Sequence, residues 1–340
     1  MEKVAIAVLS GYTTNRNKNN VNNFEMFNIA KVLSKMFQVD ILTGKQCDGC
    51  ISVDENFNIN KYSRLFIVNG SVNNFGELEV PSTTIIYNLM HKFKNKMYYI
   101  LTDTLLTYKD YWSHIHKHDW SNKYNEQMFS NQGFIVLSQF KRLNKVAESD
   151  YCKEYIHINW PLYLLENQQA INNSAHSVDL IYGGSFRSGR RKNKMLDYFF
   201  NRDINVELFS SLSSKHFKGD FSKVPKFTGR IPSPEVTLKN STSLATIIMG
   251  DSNYHNNTVT LRFYESVLSG AITFIDNDFD PEHKLLKDDY FYVNNGDELE
   301  AKIKELKEDK DLVNKLKQQQ LESLPKDKLS DKLKEILSED

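Results

Sequence analysis

A chain of 340 residues is longer than one compact core usually holds, which points to two domains. Apolar residues at 40% and charged residues at 25% fit a folded globular protein and exclude a disordered one. Lys plus Arg and Asp plus Glu number 43 each, so total charge does not mark a polyanion binder, and any nucleic-acid contact must rest on local clusters.

No apolar stretch reaches the roughly 20 residues that a membrane-spanning helix needs, and the opening "MEKVAIAVLS" lacks the length and cleavage site of a signal peptide. The expectation is a cytoplasmic protein with no membrane partner. Three cysteines make no disulfide framework, which fits a reducing compartment.

In chain order, "VAIAVL" (4–9) is a short continuous apolar run, the pattern of a strand covered on both faces. An Asn-rich loop follows, then apolar residues near helical spacing over 24–37, then a strand at 39–42. Strand, helix, strand in that order implies a parallel crossover unit. Residues 64–69, 83–89, 96–103 and 133–139 read as further strands, and the first lobe is expected to span 1–165.

Residues 164–176, "LLENQQAINNSAH", are polar and weakly periodic, as a linker would be. A second series then runs: strand 178–184, helix 191–201, strands 204–210 and 244–250, a helix 260–271 ending near Gly270, and strand 272–276. The fold expected is α/β, two doubly wound Rossmann-like lobes facing a cleft, the second spanning 177–305. Residues 306–340, rich in Lys, Glu and Leu, read as amphipathic C-terminal helices.

Ligands of open α/β sheets bind at the carboxyl ends of strands, which draws attention to "SVDLIYGGSFRSGRRKNKM" (177–195). Gly183 and Gly184 would let backbone approach a ligand, and Arg187, Arg190 and Arg191 offer forked donors to phosphate. Gly184 and Gly189 have P-loop spacing, but Arg190-Arg191 stand where a P-loop needs Lys-Ser/Thr, which counts against a nucleotide hydrolase. A solvated basic helix start is the alternative; positive charge at a helix N-terminus opposes the macrodipole and calls for an anionic partner.

Arg262 and Glu265 lie three apart on one face of a helix, set either to pair with each other or to offer a diphosphate cation and a sugar-hydroxyl acceptor to one cleft. Asp103, at the carboxyl end of "YYILTD", suits a general base or a turn, and Glu25 suits an active-site carboxylate or a first helical turn. "CDGC" (47–50) has no second pair and "HIHKH" (114–118) no supporting ligands, so no metal site is expected.

The stretch "DLIYGGSFRSGRRKNKM" closely resembles the DNA beta-glucosyltransferases of T-even phages. The resemblance recurs in order at 62–69, "YYILTD" (98–103), "FTGRIP" (227–232), "GDSNY" (250–254), "TLRFYE" (260–265) and "FYVNN" (291–295). It implies a GT-B glycosyltransferase, with UDP-glucose or another UDP-sugar as donor, that glycosylates 5-hydroxymethylcytosine in duplex DNA with inversion, a beta linkage and base flipping. It further implies Mg2+ or Mn2+ as a diphosphate-associated activator, a monomer, and the cytoplasm of an infected bacterial host.

Carried across by residue, Arg187, Arg191 and Arg262 match diphosphate-binding arginines, Glu265 the ribose-holding carboxylate, and Ile231 the position whose backbone reads uracil. Val21, Ser185, Arg230, Ser233, Tyr254 and Phe263 fall at further donor-contact positions. Asp103 matches the catalytic base, and Glu25 and Asp251 two other active-site carboxylates. Arg230 stands where Lys is expected and Ser233 where a larger apolar residue is expected. The alternatives are a UDP-sugar glycosyltransferase with a non-DNA acceptor and a catalytically silent DNA-binding homologue. Arg190, Lys192 and Lys194 are expected to face solvent or DNA.

Overall fold

The computed structural model describes residues 1–8, 21–44, 46–68, 81–102, 133–141, 152–172, 175–184, 190–210, 212–250 and 259–338. They form two compact units, Met1–Tyr163 with Lys328–Asp340, and Leu164–Asp327.

The first unit carries a seven-stranded sheet in the order β3-β2-β1-β4-β5-β6-β7, with every pair parallel. The strands are β1 (Lys3–Val8), β2 (Gln38–Thr43), β3 (Ile51–Ser52), β4 (Arg64–Val68), β5 (Lys96–Leu101), β6 (Phe134–Ser138) and β7 (Cys152–His157). β6 is buried at all five positions and β5 at all but its first, as continuous apolar runs require when both faces are covered. Helix α1 (Val21–Leu33) joins β1 to β2, and α2 (Pro81–Lys92) joins β4 to β5.

Residues 83–89, expected as a strand, belong to α2. Their β-branched run suits a strand, but Ile86, Leu89, Met90 and Phe93 recur at helical spacing and are all buried, and Pro81 pre-sets the first turn. β7 escaped the sequence reading because it is an edge strand with no buried position, and so leaves no hydrophobic run.

The second unit carries a six-stranded parallel sheet in the order β10-β9-β8-β11-β12-β13. Its strands are β8 (Val178–Gly184), β9 (Val206–Ser210), β10 (Lys226–Phe227), β11 (Ser243–Ile248), β12 (Ile272–Asp276) and β13 (Tyr292–Val293). The helices after α3 (Tyr163–Asn167) are α4 (Arg190–Phe199), α5 (Val236–Asn240), α6 (Leu261–Leu268), α7 (Gly296–Glu308) and α8 (Lys310–Glu322). Gly270 ends α6 with a φ of +75°, and the Ile171 carbonyl occupies the space a Cβ would need there.

The stretch expected as a linker is packed on the second unit at its described residues. The Ile171 N–H donates to the Leu268 carbonyl at 2.8 Å, and the Thr237 hydroxyl donates to the Gln168 side chain at 3.3 Å. The expected C-terminal tail is shared out: α7 and α8 stay with the second unit, and α9 (Leu329–Ser338) joins the first. Leu329, Leu333 and Leu337, spaced by four, bury one face of α9. Arg64 donates to the Leu337 carbonyl at 3.2 Å, satisfying a helix-end acceptor, and pairs with Glu2 at 2.7 Å.

Gln320 of α8 is fully buried; its Oε1 accepts from the Thr273 N–H at 3.0 Å and its Nε2 donates to the Ala271 carbonyl at 2.8 Å. Gln320→Leu would leave both backbone groups buried without a partner, at about 1–3 kcal/mol each. Urea unfolding should show that loss with an unchanged m-value; unchanged stability would mean the two bonds are replaced by others.

Candidate active site

In the second unit the strand order reverses between β8 and β11, so the chain leaves these adjacent strands toward opposite faces and opens a crevice at their carboxyl ends. A cavity of about 220 Å3 lies there. Tyr182, Gly183 and Gly184 of β8 line it, with Phe209, Ile248, Met249, Gly250 and Phe279, and Arg191 and Arg262 supply its positive charge.

Arg191, in the first turn of α4, donates from Nη2 to the Tyr182 hydroxyl at 2.7 Å. Arg262, near the start of α6, donates to Glu265 Oε2 at 2.8 Å, so the intrahelical pair forms. The Glu265 side chain is 2% exposed and that of Arg262 34%, which places the carboxylate beneath its cation. Burial pushes the Glu265 pKa above the usual carboxylate range, and the Arg262 guanidinium works against that rise.

Gly183 and Gly184 line the cavity, and their neighbours leave no room for a side chain. A Cβ on Gly183 would collide with the Phe209 ring, and one on Gly184 would lie 2.6 Å from the Tyr182 hydroxyl. Both glycines make room for rings that line the cavity. Lys194, expected to face solvent or DNA, instead pairs with the buried carboxylate of Asp276 and, at 2.6 Å, with Asp278. The reason is the one-turn spacing of α4, which turns Lys194 back toward the end of β12 while Lys192 remains half-buried.

Arg230 is exposed. Ile231 is half-buried against Ile181, Phe209 and Val236, and Ser233 and Phe263 are buried. Val21 is the first residue of α1, and its side chain lies outside the described residues, as do Asp103, Ser185, Arg187, Asp251 and Tyr254.

In the first unit, Glu25 on α1 is 8% exposed and accepts from the Thr102 hydroxyl at 2.8 Å, just past β5. The Gln139 side chain, past the neighbouring β6, donates to the Thr102 carbonyl, and the Gln139 N–H donates to the Leu101 carbonyl at 3.0 Å. Glu25 is therefore held at the carboxyl edge of the sheet rather than in a solvated helical turn. The sequence reading missed Thr102 and Gln139; the one available signal was that both follow apolar runs ending at the same edge.

Two doubly wound units with parallel sheets, one with a cation-lined cavity at its switch point, define the GT-B architecture found among glycosyltransferases. A family model described as bacteriophage T4 beta-glucosyltransferase matches residues 3–167. The DNA beta-glucosyltransferase of Enterobacteria phage T4 is 36% identical over 313 residues, covering 85% of this chain and 87% of that one. The chain belongs to the phage T4 beta-glucosyltransferase family.

The structure of T4 phage BGT in complex with UDP and Mn2+ matches with a TM-score of 0.81 at 32% identity, over 98% of this chain and 99% of that one. T4 phage BGT in complex with its UDP-glucose substrate matches at 0.77 and 30% identity, over 99% and 96%. An alpha-glucosyltransferase in complex with UDP and a 13-mer DNA shares the fold, at a TM-score of 0.61 and 11% identity over 95% and 94%.

Two outcomes are expected. Thr102→Val removes the donor to a buried carboxylate and should cost about 1.5–3 kcal/mol in chemical denaturation, with Thr102→Ser restoring most of it. Equal loss in both variants would show that the methyl, not the hydroxyl, matters. For Glu265, a raised folded-state pKa gives a contribution to stability that is present at low pH and lost as pH rises from about 4.5 through the raised value. The wild type should therefore lose stability relative to Glu265→Gln as pH climbs through that window, and parallel pH profiles would contradict the assignment.

Proposed function

We propose that this protein transfers glucose, or a related sugar, from a UDP-sugar to the hydroxymethyl oxygen of 5-hydroxymethylcytosine in duplex DNA, inverting the anomeric centre to give a beta linkage. The observation that carries the donor half is the cavity at the β8–β11 switch, with Arg191 and Arg262 on its wall. Membership of the T4 beta-glucosyltransferase family supports the DNA acceptor, since the curated relative is a DNA beta-glucosyltransferase.

In the reaction, the hydroxymethyl oxygen forms a bond to the anomeric carbon as the bond from that carbon to the diphosphate oxygen breaks. Asp103 accepts the hydroxymethyl proton. Arg191 and Arg262, with Arg187, neutralise the charge that builds on the departing UDP, where cations set in place before reaction stabilise the transition state most. Glu265 holds the ribose and fixes Arg262, and Ile231, Arg230, Ser233, Phe263, Val21, Ser185, Asp251 and Tyr254 complete the donor surroundings. Glu25 orders the transferred sugar from the first unit.

A stacked base cannot present its hydroxymethyl group to a recessed site, so the cytosine is flipped, at a few kcal/mol of unstacking. Exposed basic residues such as Lys215, Lys218 and Arg230 suit phosphate contacts that weaken with salt. Among the described residues no group of three His, Cys, Asp or Glu could hold a metal ion, and none of these steps is routed through one. The protein acts as a monomer in the cytoplasm of an infected bacterial host.

Labelled UDP-glucose incubated with hydroxymethylated duplex, unmodified duplex or no DNA tests this reading. Label should enter only the hydroxymethylated duplex, and Asp103→Asn should slow transfer about 10²–10⁴-fold. Transfer without DNA would overturn the acceptor assignment, and undiminished turnover by Asp103→Asn would remove the base.

A further inference from the structure

A tyrosine on the wall of the β8–β11 cavity touches residues at both ends of α4. Tyr182 is 4% exposed; its hydroxyl accepts from Arg191 Nη2 at 2.7 Å, and its ring packs on Phe199, the last residue of the helix, with centroids 5.1 Å apart. Arg191 is half-buried and lines the same cavity.

The hydroxyl has its place only because residue 184 carries no side chain. A Cβ on Gly184 would lie 2.6 Å from the Tyr182 oxygen and 2.9 Å from two ring carbons, closer than real Cβ atoms come. Glycine, hydroxyl and guanidinium are therefore one linked set, in which a change at the first is passed to the last.

The helix that carries the arginine is held by other means. Lys194 pairs with Asp276 and, at 2.6 Å, with Asp278, and the Tyr198 hydroxyl donates to Asp276 at 3.3 Å, which ties α4 to the end of β12 without Tyr182. What the Tyr182 hydroxyl adds is the direction of one guanidinium. An arginine side chain has many rotamers, and its planar fork meets an anion well in few of them, so a bond that selects the orientation beforehand lowers the ordering left for binding.

We infer, resting on the donor reading above, that Tyr182 is a positioning residue for the diphosphate of the donor: its hydroxyl presets Arg191 toward the phosphate oxygens, and Gly184 leaves that hydroxyl its room. Tyr182 thereby helps to set how strongly the site prefers a phosphate-bearing nucleotide to the bare nucleoside.

Tyr182→Phe keeps the ring and removes only the hydroxyl, so the packing on Phe199 is retained. In calorimetric titration of the full chain, UDP should bind this variant about five- to tenfold more weakly than wild type, whereas uridine, which carries no phosphate, should bind within about twofold. In an Arg191→Met background the same substitution should change UDP affinity by less than about twofold, because the hydroxyl then has no guanidinium to hold.

Equal weakening of UDP and uridine would show a general structural role and overturn the inference. Undiminished UDP affinity in Tyr182→Phe, or full additivity with Arg191→Met, would overturn it as well, and all three results leave the donor reading standing. A wild-type protein that binds no UDP would remove the donor reading, and the role of Tyr182 with it.

Discussion

A parallel sheet cannot be closed by hairpins. Every return of the chain must cross one face, and where successive crossings change face, two neighbouring strands end with nothing lying over the gap between them. Among the described residues every strand pair in both units is parallel, and in each sheet the order reverses once, beside β1 in the first and beside β8 in the second. The candidate chemistry follows from this constraint. Glycines, arginines and carboxylates on distant parts of the chain meet only because several strands end at one edge.

Charge at that edge is arranged by depth. Glu265 is sunk beneath Arg262, and the buried carboxylate of Asp276 is answered by Lys194. Arg191 and Arg262 line the cavity, and bonds to Tyr182 and Glu265 help to fix their guanidinium planes. An anion entering the cavity meets cations whose orientation is already set, and little ordering is left for binding to accomplish. The overall charge balance of the chain conceals this, because the opposing charges cancel in composition and not in space.

Much of the architecture was legible because parallel strands covered on both faces leave continuous apolar runs. β1, β8 and β12 fall where "VAIAVL", "VDLIYGG" and "ITFID" place them. Residues 83–89 were misread because a short β-branched run carries no period of its own, and the helix shows only once Ile86 and Leu89 are read with the buried Met90 and Phe93 that follow. Arg191, Arg262 and Glu265 were accessible through their motifs. Thr102 and Gln139 were not, since each is a single polar residue past an apolar run, and what each one bonds depends on elements far away in sequence. The destination of α9 was equally hidden, because an amphipathic helix does not specify which core its leucines will fill.

That last helix bears on how the protein is made. The first unit takes residues 1–163 and then 328–340, with the whole second unit inserted between them. During synthesis the first sheet can pair its strands early, but Arg64 and the pocket for Leu329, Leu333 and Leu337 must wait until the inserted unit has been translated. Ribosomal synthesis runs at roughly 5–20 residues per second, so the wait lasts on the order of ten seconds or more. The second unit, contiguous in sequence, is free to fold in that interval, and the unit that begins the chain is the last to be completed.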